Sequence, residues 1–337
     1  LKNLNHILKL PDIKKIKEAI LQWGPVCTLR SWVKEHSLPG FFDVPIYDVV
    51  IFLINETKRF DLISRANSIA FSFFLALFPT IIVIFTMVPF FSDYILSFFG
   101  FTTQHFLEVV QVEIRQVLPG EQGVGTQLYE TIADLATKPR TDLLSIGFFL
   151  AIFFASNGML AMMRSFDKSH LKTFKRRNFL RKRWVAIVLT LIIGLLSISS
   201  VLLIILGRTL IDYLSSFVSS DTFATIGLIL LRWLAVLGLV YFGIGVIYRY
   251  GAATYRKFSL FSPGTTLAAS LSVLSSVVFS FYVDNYGAYS KIYGPIGTII
   301  VVMLWIQLNA FAILVGFELN ASIAVNRDLK AEVDEED

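Results

Sequence analysis

Apolar residues gather into six long runs, at residues 68–91, 143–163, 185–207, 226–248, 260–283 and 296–319, divided by connections that hold most of the charge. Each run meets the requirement of roughly 20 largely apolar residues for a ~30 Å hydrocarbon core. In lipid only a helix satisfies every backbone N–H and C=O within one segment, so the pattern predicts an all-α, polytopic membrane fold with six transmembrane helices. The runs are unequal. The third is nearly pure hydrocarbon and is expected to face lipid, whereas the first holds Pro79, the second Asn157, the fourth Arg232, and the sixth Gln307 and Asn309.

Shorter patterns flank the runs. Ile13, Ile16, Ile20 and Trp23 recur at helical spacing opposite Lys14, Lys15 and Lys17, which predicts a basic amphipathic helix lying on the membrane or under the bundle. Residues 49–54 are too short to span, and Asp48, Glu56, Lys58 and Arg59 around them point to an interfacial helix leading into the first span. After that span, Phe106, Val110, Ile114 and Val117 share a helical face, Pro119 and Gly120 stop it, and Leu128, Ile132 and Leu135 begin another. A small external helical hairpin follows, read as a packing cap in preference to a binding surface. The expected organisation is an interfacial region at 1–67, a six-helix domain at 68–319 with the external loop 92–142 and a basic loop 164–184, and an acidic tail at 320–337. No charged-then-apolar leader with a small-residue cleavage site is visible, so the first span is expected to serve as its own targeting signal.

Charge orients the chain. Arg164, Lys168, Lys172, Lys175, Arg176, Arg177, Arg181, Lys182 and Arg183 face the single acid Asp167 between the second and third runs, and Arg249, Arg256 and Lys257 follow the fourth. The connections after the third and fifth runs hold only Arg208 and Lys291, and that after the first holds Arg115, Lys138 and Arg140 among more numerous acids. The positive-inside rule therefore places both basic connections and both termini in the cytoplasm.

Composition removes other classes. A chain of 337 residues that is 55% hydrophobic and 16% charged, with a mean hydropathy of +0.66, is too apolar for an ordinary soluble domain. Its net charge of +5 would suggest nucleic acid in a soluble protein, but here headgroups and topology account for it, and no nucleic acid is expected. One cysteine, Cys27, excludes an intramolecular disulfide, and His6, His36, His105 and His170 have no metal-site spacing. No phosphate-cradling glycine loop of the P-loop or dinucleotide type is present, so no cofactor is expected and an ATP-driven pump is disfavoured.

Polar residues inside the runs are the candidate ligand path, because a polar group in hydrocarbon needs a partner or a wet cavity. Arg232 is six residues into the fourth run, roughly 9 Å along a helix. Snorkelling or pairing with Asp212, Asp221 or Asp284 and service as a cavity charge for an anionic ligand both remain open. Asn157 beside Gly158, and Gln307 with Asn309, suit interhelical hydrogen bonding first and a polar path second. Glu318, with Asn320 at the end of the sixth run, is expected to form an architectural ion pair with Arg249 or Arg256. Pro79 should kink the first helix, while Ser262-Pro263 and Gly294-Pro295 read as starts of the fifth and sixth. The two halves show no matched pair of broken helices, which weakens a transporter reading. Gly238, Gly243 and Gly245 allow close helix contact within the chain or in a homo-oligomer.

The order of these features resembles the YihY/BrkB family of bacterial inner-membrane proteins. The resemblance is carried by residues 65–71 (RANSIAF), 76–79 (ALFP), 156–158 (SNG), 163–167 (MRSFD), the basic residues Arg176, Arg177 and Arg181 to Arg183, 262–265 (SPGT), 293–297 (YGPIG) and 316–321 (GFELNA). It departs from the family pattern at Asp167 and His170. The resemblance implies a multi-pass inner-membrane protein. It also brings a historical ribonuclease label that looks like a misassignment, because the basic loops lack clustered carboxylates and histidines for phosphodiester hydrolysis. The expectation is a non-enzymatic protein that handles or transports an amphiphilic, anionic envelope component such as a lipid. Pro79, Asn157, Arg232, Gln307 and Asn309 would lie along its path. The alternative is a membrane scaffold for envelope or periplasmic proteins, and a membrane-bound ribonuclease ranks below both.

Overall fold

A computed structural model describes residues 36–37, 45–47, 49, 51, 62–91, 103–104, 107–108, 110–112, 124–138, 140–168, 172–215, 222–286 and 295–336. Its named helices are α1 (Leu62–Phe91), α2 (Val124–Thr137), α3 (Thr141–Ser165), α4 (Phe179–Ser215), α5 (Thr222–Val246), α6 (Pro263–Tyr286) and α7 (Pro295–Glu336). All but α2 contain a stretch long and apolar enough to cross a bilayer, giving the six expected spans. Among the described residues the one extended pairing is a single antiparallel bridge between Phe174 and Thr254.

The helices outrun the apolar runs, because helix formation needs only compatible residues whereas a run ends at the first charges. Thus α4 starts at Phe179, before Arg181 to Arg183, and α7 continues to Glu336 through a segment rich in Ala, Glu, Asp, Lys and Leu with no Gly or Pro. The start of α6 is fixed locally. The Ser262 hydroxyl accepts from the Thr265 N–H at 3.3 Å, and Pro263 occupies the first helical position, where its missing N–H costs nothing. The helix thus begins where Ser262-Pro263 predicted, inside the apolar run that opens at residue 260. Pro79 and Pro89 both lie inside the unbroken α1. The amphipathic segment at residues 13–23 lies outside the described residues; of the interfacial segment, Val49 and Ile51 are helical.

Two compact units divide the chain, residues Asp61–Phe317 and a second made of Leu1–Phe60 with Glu318–Asp337. In the second, Val49 and Ile323 are buried against each other with Ile46 and Leu319 around them. In the main unit α1 and α3 form the most extensive helix pair. Gly158 permits it, since a Cβ there would meet the Phe73 ring at 2.9 Å. Helix α2 packs on α1; of its predicted stripe Ile132 is buried and Leu135 half-buried, and Ala136, outside that stripe, is buried as well. Only the 103–112 part of the expected preceding helix is described, at scattered helical positions.

One end of the main unit is tied together by aromatics. Phe317 stacks on Phe166 with ring centroids 4.1 Å apart, and Phe174, Phe258 and Tyr248 close on Phe317 at 6.2–6.3 Å. Phe166, Tyr248 and Phe317 are almost fully buried. The Tyr248 hydroxyl donates to the Ile313 carbonyl at 2.5 Å, so its polar tip has a partner in the apolar interior. Gly316 sits where α7 crosses α6, and a Cβ there would run into the Gly264 carbonyl oxygen and lie 2.6 Å from Ala268 Cβ.

Candidate functional site

The basic connections 166–178 and 252–262 meet at this aromatic end. Bridge pairing brings them together: Lys175 N–H donates to Ala253 C=O at 2.7 Å, and Tyr255 N–H to Thr173 C=O at 3.1 Å. Arg177 secures the join. Its guanidinium donates to the carbonyls of Tyr250, Gly251 and Ala252 at 2.9, 3.0 and 2.9 Å. Those carbonyls are the orphans left where α5 ends in a π-helical turn, Ile247–Gly251. A cation there also meets the negative end of the helix dipole. Burial holds the Arg177 pKa below the ordinary guanidinium value, with Arg181 adding to the shift and Asp167 opposing it.

Other arginines repeat this use of carbonyls and amides. Arg65 donates to Ser165 C=O at 2.9 Å, and Arg249 to Phe258 C=O at 3.1 Å. Arg183 donates to the side-chain oxygen of Asn157 and places its guanidinium 4.9 Å from the Phe153 ring. Lys182 pairs with Asp167.

Arg177 and three further cations line a groove of about 370 Å³. Its mouth carries Lys175, Arg177, Arg181 and Lys257, and among the described residues no carboxylate lines it. Its floor is apolar, formed by Trp184, Val185, Val188, Leu189 and Ile192 of α4, with Tyr250 at the side. Lys257 stands 4.8 Å from the Tyr250 ring, so the cation and the aromatic act as one wall. Beside it a polar pocket of about 390 Å³ shares Lys175 and Arg177 and adds Lys168, Arg176 and Lys182 against the single acid Asp167. A cationic mouth over a hydrocarbon floor suits an anionic head with an apolar tail.

The predicted path residues are dispersed. Pro79 is buried in α1, at the α3 contact near Gly147. Asn157 is engaged by Arg183 of the neighbouring helix. Arg232 is half-buried with the Trp233 ring 5.8 Å away, and the side chains of Asp212, Asp221 and Asp284 lie outside the described set. Gln307 is half-buried on α7. Asn309 lines a cavity bordered by α4 to α7. Of the edge residues, Glu318 is fully buried, Arg249 holds the Phe258 carbonyl and Arg256 is exposed. In the sequence the groove was legible only as a charge cluster of the kind the positive-inside rule also expects. The signal that α4 contributes its floor lies in the register of Val185, Val188 and Ile192, which recur at three- and four-residue steps below Arg181.

Comparison with known proteins follows the same outline. The family described as Virulence factor BrkB matches residues 53–337. The ribonuclease-like protein YfkH of Bacillus subtilis (strain 168) is 31% identical over 276 residues, covering 80% of this chain and 92% of that protein. A UPF0761 membrane protein of Tolumonas auensis is 31% identical over 104 residues, 30% of this chain and 33% of its own length. The UPF0761 membrane protein PSHAa0171 of Pseudoalteromonas translucida is 32% identical over 87 residues, 26% of this chain and 29% of its own length. No solved structure matches.

Proposed function

The chain belongs to the BrkB family and is a multi-pass bacterial membrane protein, and from that premise we propose that it takes hold of an anionic lipid at its basic end and moves it within the bilayer without an ATPase of its own. The observation that carries this reading is the groove in which Lys175, Arg181 and Lys257 stand over the apolar floor of α4. A soluble polyanion has no use for Trp184, Val188 and Ile192, and a neutral lipid has none for the cations. With the basic connections cytoplasmic, the mouth lies at the inner headgroup layer, where each nearby Lys or Arg adds about 1 kcal/mol of attraction to anionic lipid.

The ribonuclease-like name of one relative points to a different chemistry. Among the described residues no three His, Cys, Asp or Glu side chains gather as a metal-binding group, and Asp167, the acid beside the cations, is engaged by Lys182. The test uses purified full-length protein in liposomes containing fluorescent phosphatidylglycerol or phosphatidylcholine. Faster transbilayer movement of the anionic lipid, lost on combining Arg181→Ala with Lys257→Ala, is the expected result. Movement that ignores headgroup charge or survives the double substitution overturns it, and binding without movement favours a scaffold.

A further inference from the structure

The cavity that Asn309 lines, about 190 Å³ between α4, α5, α6 and α7, shares no lining residue with the basic groove. Its walls are apolar, with Ile193, Leu196, Leu239 and Ile244 among them, and among the described residues no charged side chain lines it. Four of its lining residues, Ser197, Ser200, Ser272 and Asn309, are nevertheless polar.

Ser272 is the informative one. Serines and threonines in apolar helices ordinarily return their hydroxyl to a carbonyl one turn back. In this chain Ser72, Thr190 and Ser199 do so at 2.8–2.9 Å. Ser272 is only 6% exposed, and its hydroxyl has no hydrogen-bond partner. In hydrocarbon such a group is costly to leave unmet. The neighbouring Asn309 amide already donates to the Trp305 carbonyl at 2.9 Å, which holds its side chain in place beside the cavity.

We infer that this cavity binds the uncharged hydrogen-bonding end, a hydroxyl or ester, of a neutral lipid such as a monoacylglycerol, with the Ser272 hydroxyl, buried in this structure, turning about its Cα–Cβ bond to become its partner. A phosphate or carboxylate would meet no counter-charge there, and a bare charge in such surroundings is far costlier than a hydroxyl. A pure hydrocarbon would leave Ser272 unmet. The rim residues Ser197 and Val240 are exposed, so the cavity opens between α4 and α5 and leaves a tail free to lie along the helices. The inference is independent of the anionic reading: different residues, opposite charge preference and a different probe.

The experiment is photolabelling of purified full-length protein with a diazirine monoacylglycerol, with adducts mapped by mass spectrometry. The expected adducts fall on the α4 and α5 segments around Leu196 and Leu239. Unlabelled monoacylglycerol displaces the probe and lysophosphatidic acid does not. Ser272→Ala should weaken labelling about five-fold, the effect of one neutral hydrogen bond, without lowering the melting temperature. Gly243→Leu, which puts a side chain into the space toward Ile193 and Leu196, should abolish labelling. Arg181→Ala should leave it unchanged. Labelling indifferent to both cavity substitutions, or equal displacement by lysophosphatidic acid, overturns the inference, as does absence of adducts, which leaves water as the occupant.

Discussion

The guanidinium of Arg183 donates to the side-chain oxygen of Asn157, joining the start of α4 to the middle of α3. The same guanidinium lies 4.9 Å from the Phe153 ring, one helical turn before Asn157. A cation that the loop pattern assigns to topology is thereby also a fastener between two spans.

Removing either partner should show this. Asn157→Ala is expected to destabilise by about 1.5–3 kcal/mol, the range for a hydrogen bond to a charged group, read as a lower melting temperature in detergent. Arg183→Ala should cost at least as much, because the ring contact goes too. The double substitution should fall short of the sum of the singles. Strict additivity would show that the two residues do not act on each other.

Arg177 makes a sharper case for shape over charge. Its fork reaches three carbonyls at once, a geometry that a lysine ammonium on a flexible stem does not reproduce. Arg177→Lys is therefore expected to lower the melting temperature nearly as far as Arg177→Ala, whereas Arg181→Ala at the groove mouth should change stability by no more than about 0.5 kcal/mol. Full rescue by lysine would mean that charge alone matters at this position.

Two glycines that both lie inside apolar runs should part company. Gly316→Ala drives a methyl into the Gly264 backbone and is expected to cost about 1–3 kcal/mol or to prevent folding. Gly238→Ala meets nothing within 4 Å and should be neutral or stabilising by up to about 1 kcal/mol. Thermal melts of the two variants side by side decide it, and equal behaviour would contradict the α6–α7 crossing.

Salt should separate the two lipid sites. Raising ionic strength shortens the screening length from about 10 Å at 0.1 M to about 3 Å at 1 M. Binding of phosphatidylglycerol in the basic groove should weaken along that series, and monoacylglycerol labelling near Ser272 should not. Equal responses would mean that one site serves both ligands.

Much of this architecture is written locally. Six apolar runs become six spans because the backbone in lipid must satisfy itself within each segment, and Ser262 with Pro263 starts α6 because cap and N1 proline act within one turn. The expected stripe of α2 is likewise seen at Ile132. Asn309 stands on a cavity wall, whereas Pro79 and Asn157 are turned to helix contacts, so a polar residue in a span does not by itself distinguish open space from packing.

By itself, then, the sequence determined the class, the spans and the clustering of basic residues on two connections. Tertiary structure alone decided that Phe174 meets Thr254 and that Arg177 meets the end of α5. It alone also gave α4 one face toward the basic groove and the next turns of that helix toward the Ser272 cavity. The reason is physical. In water a helix records its buried face as an apolar stripe, but in a bilayer lipid and core are equally apolar and the stripe vanishes. Leu189 is 1% exposed and Leu191 is 47% exposed on the same helix. Two leucines carry no mark of which is which until the neighbouring helices arrive.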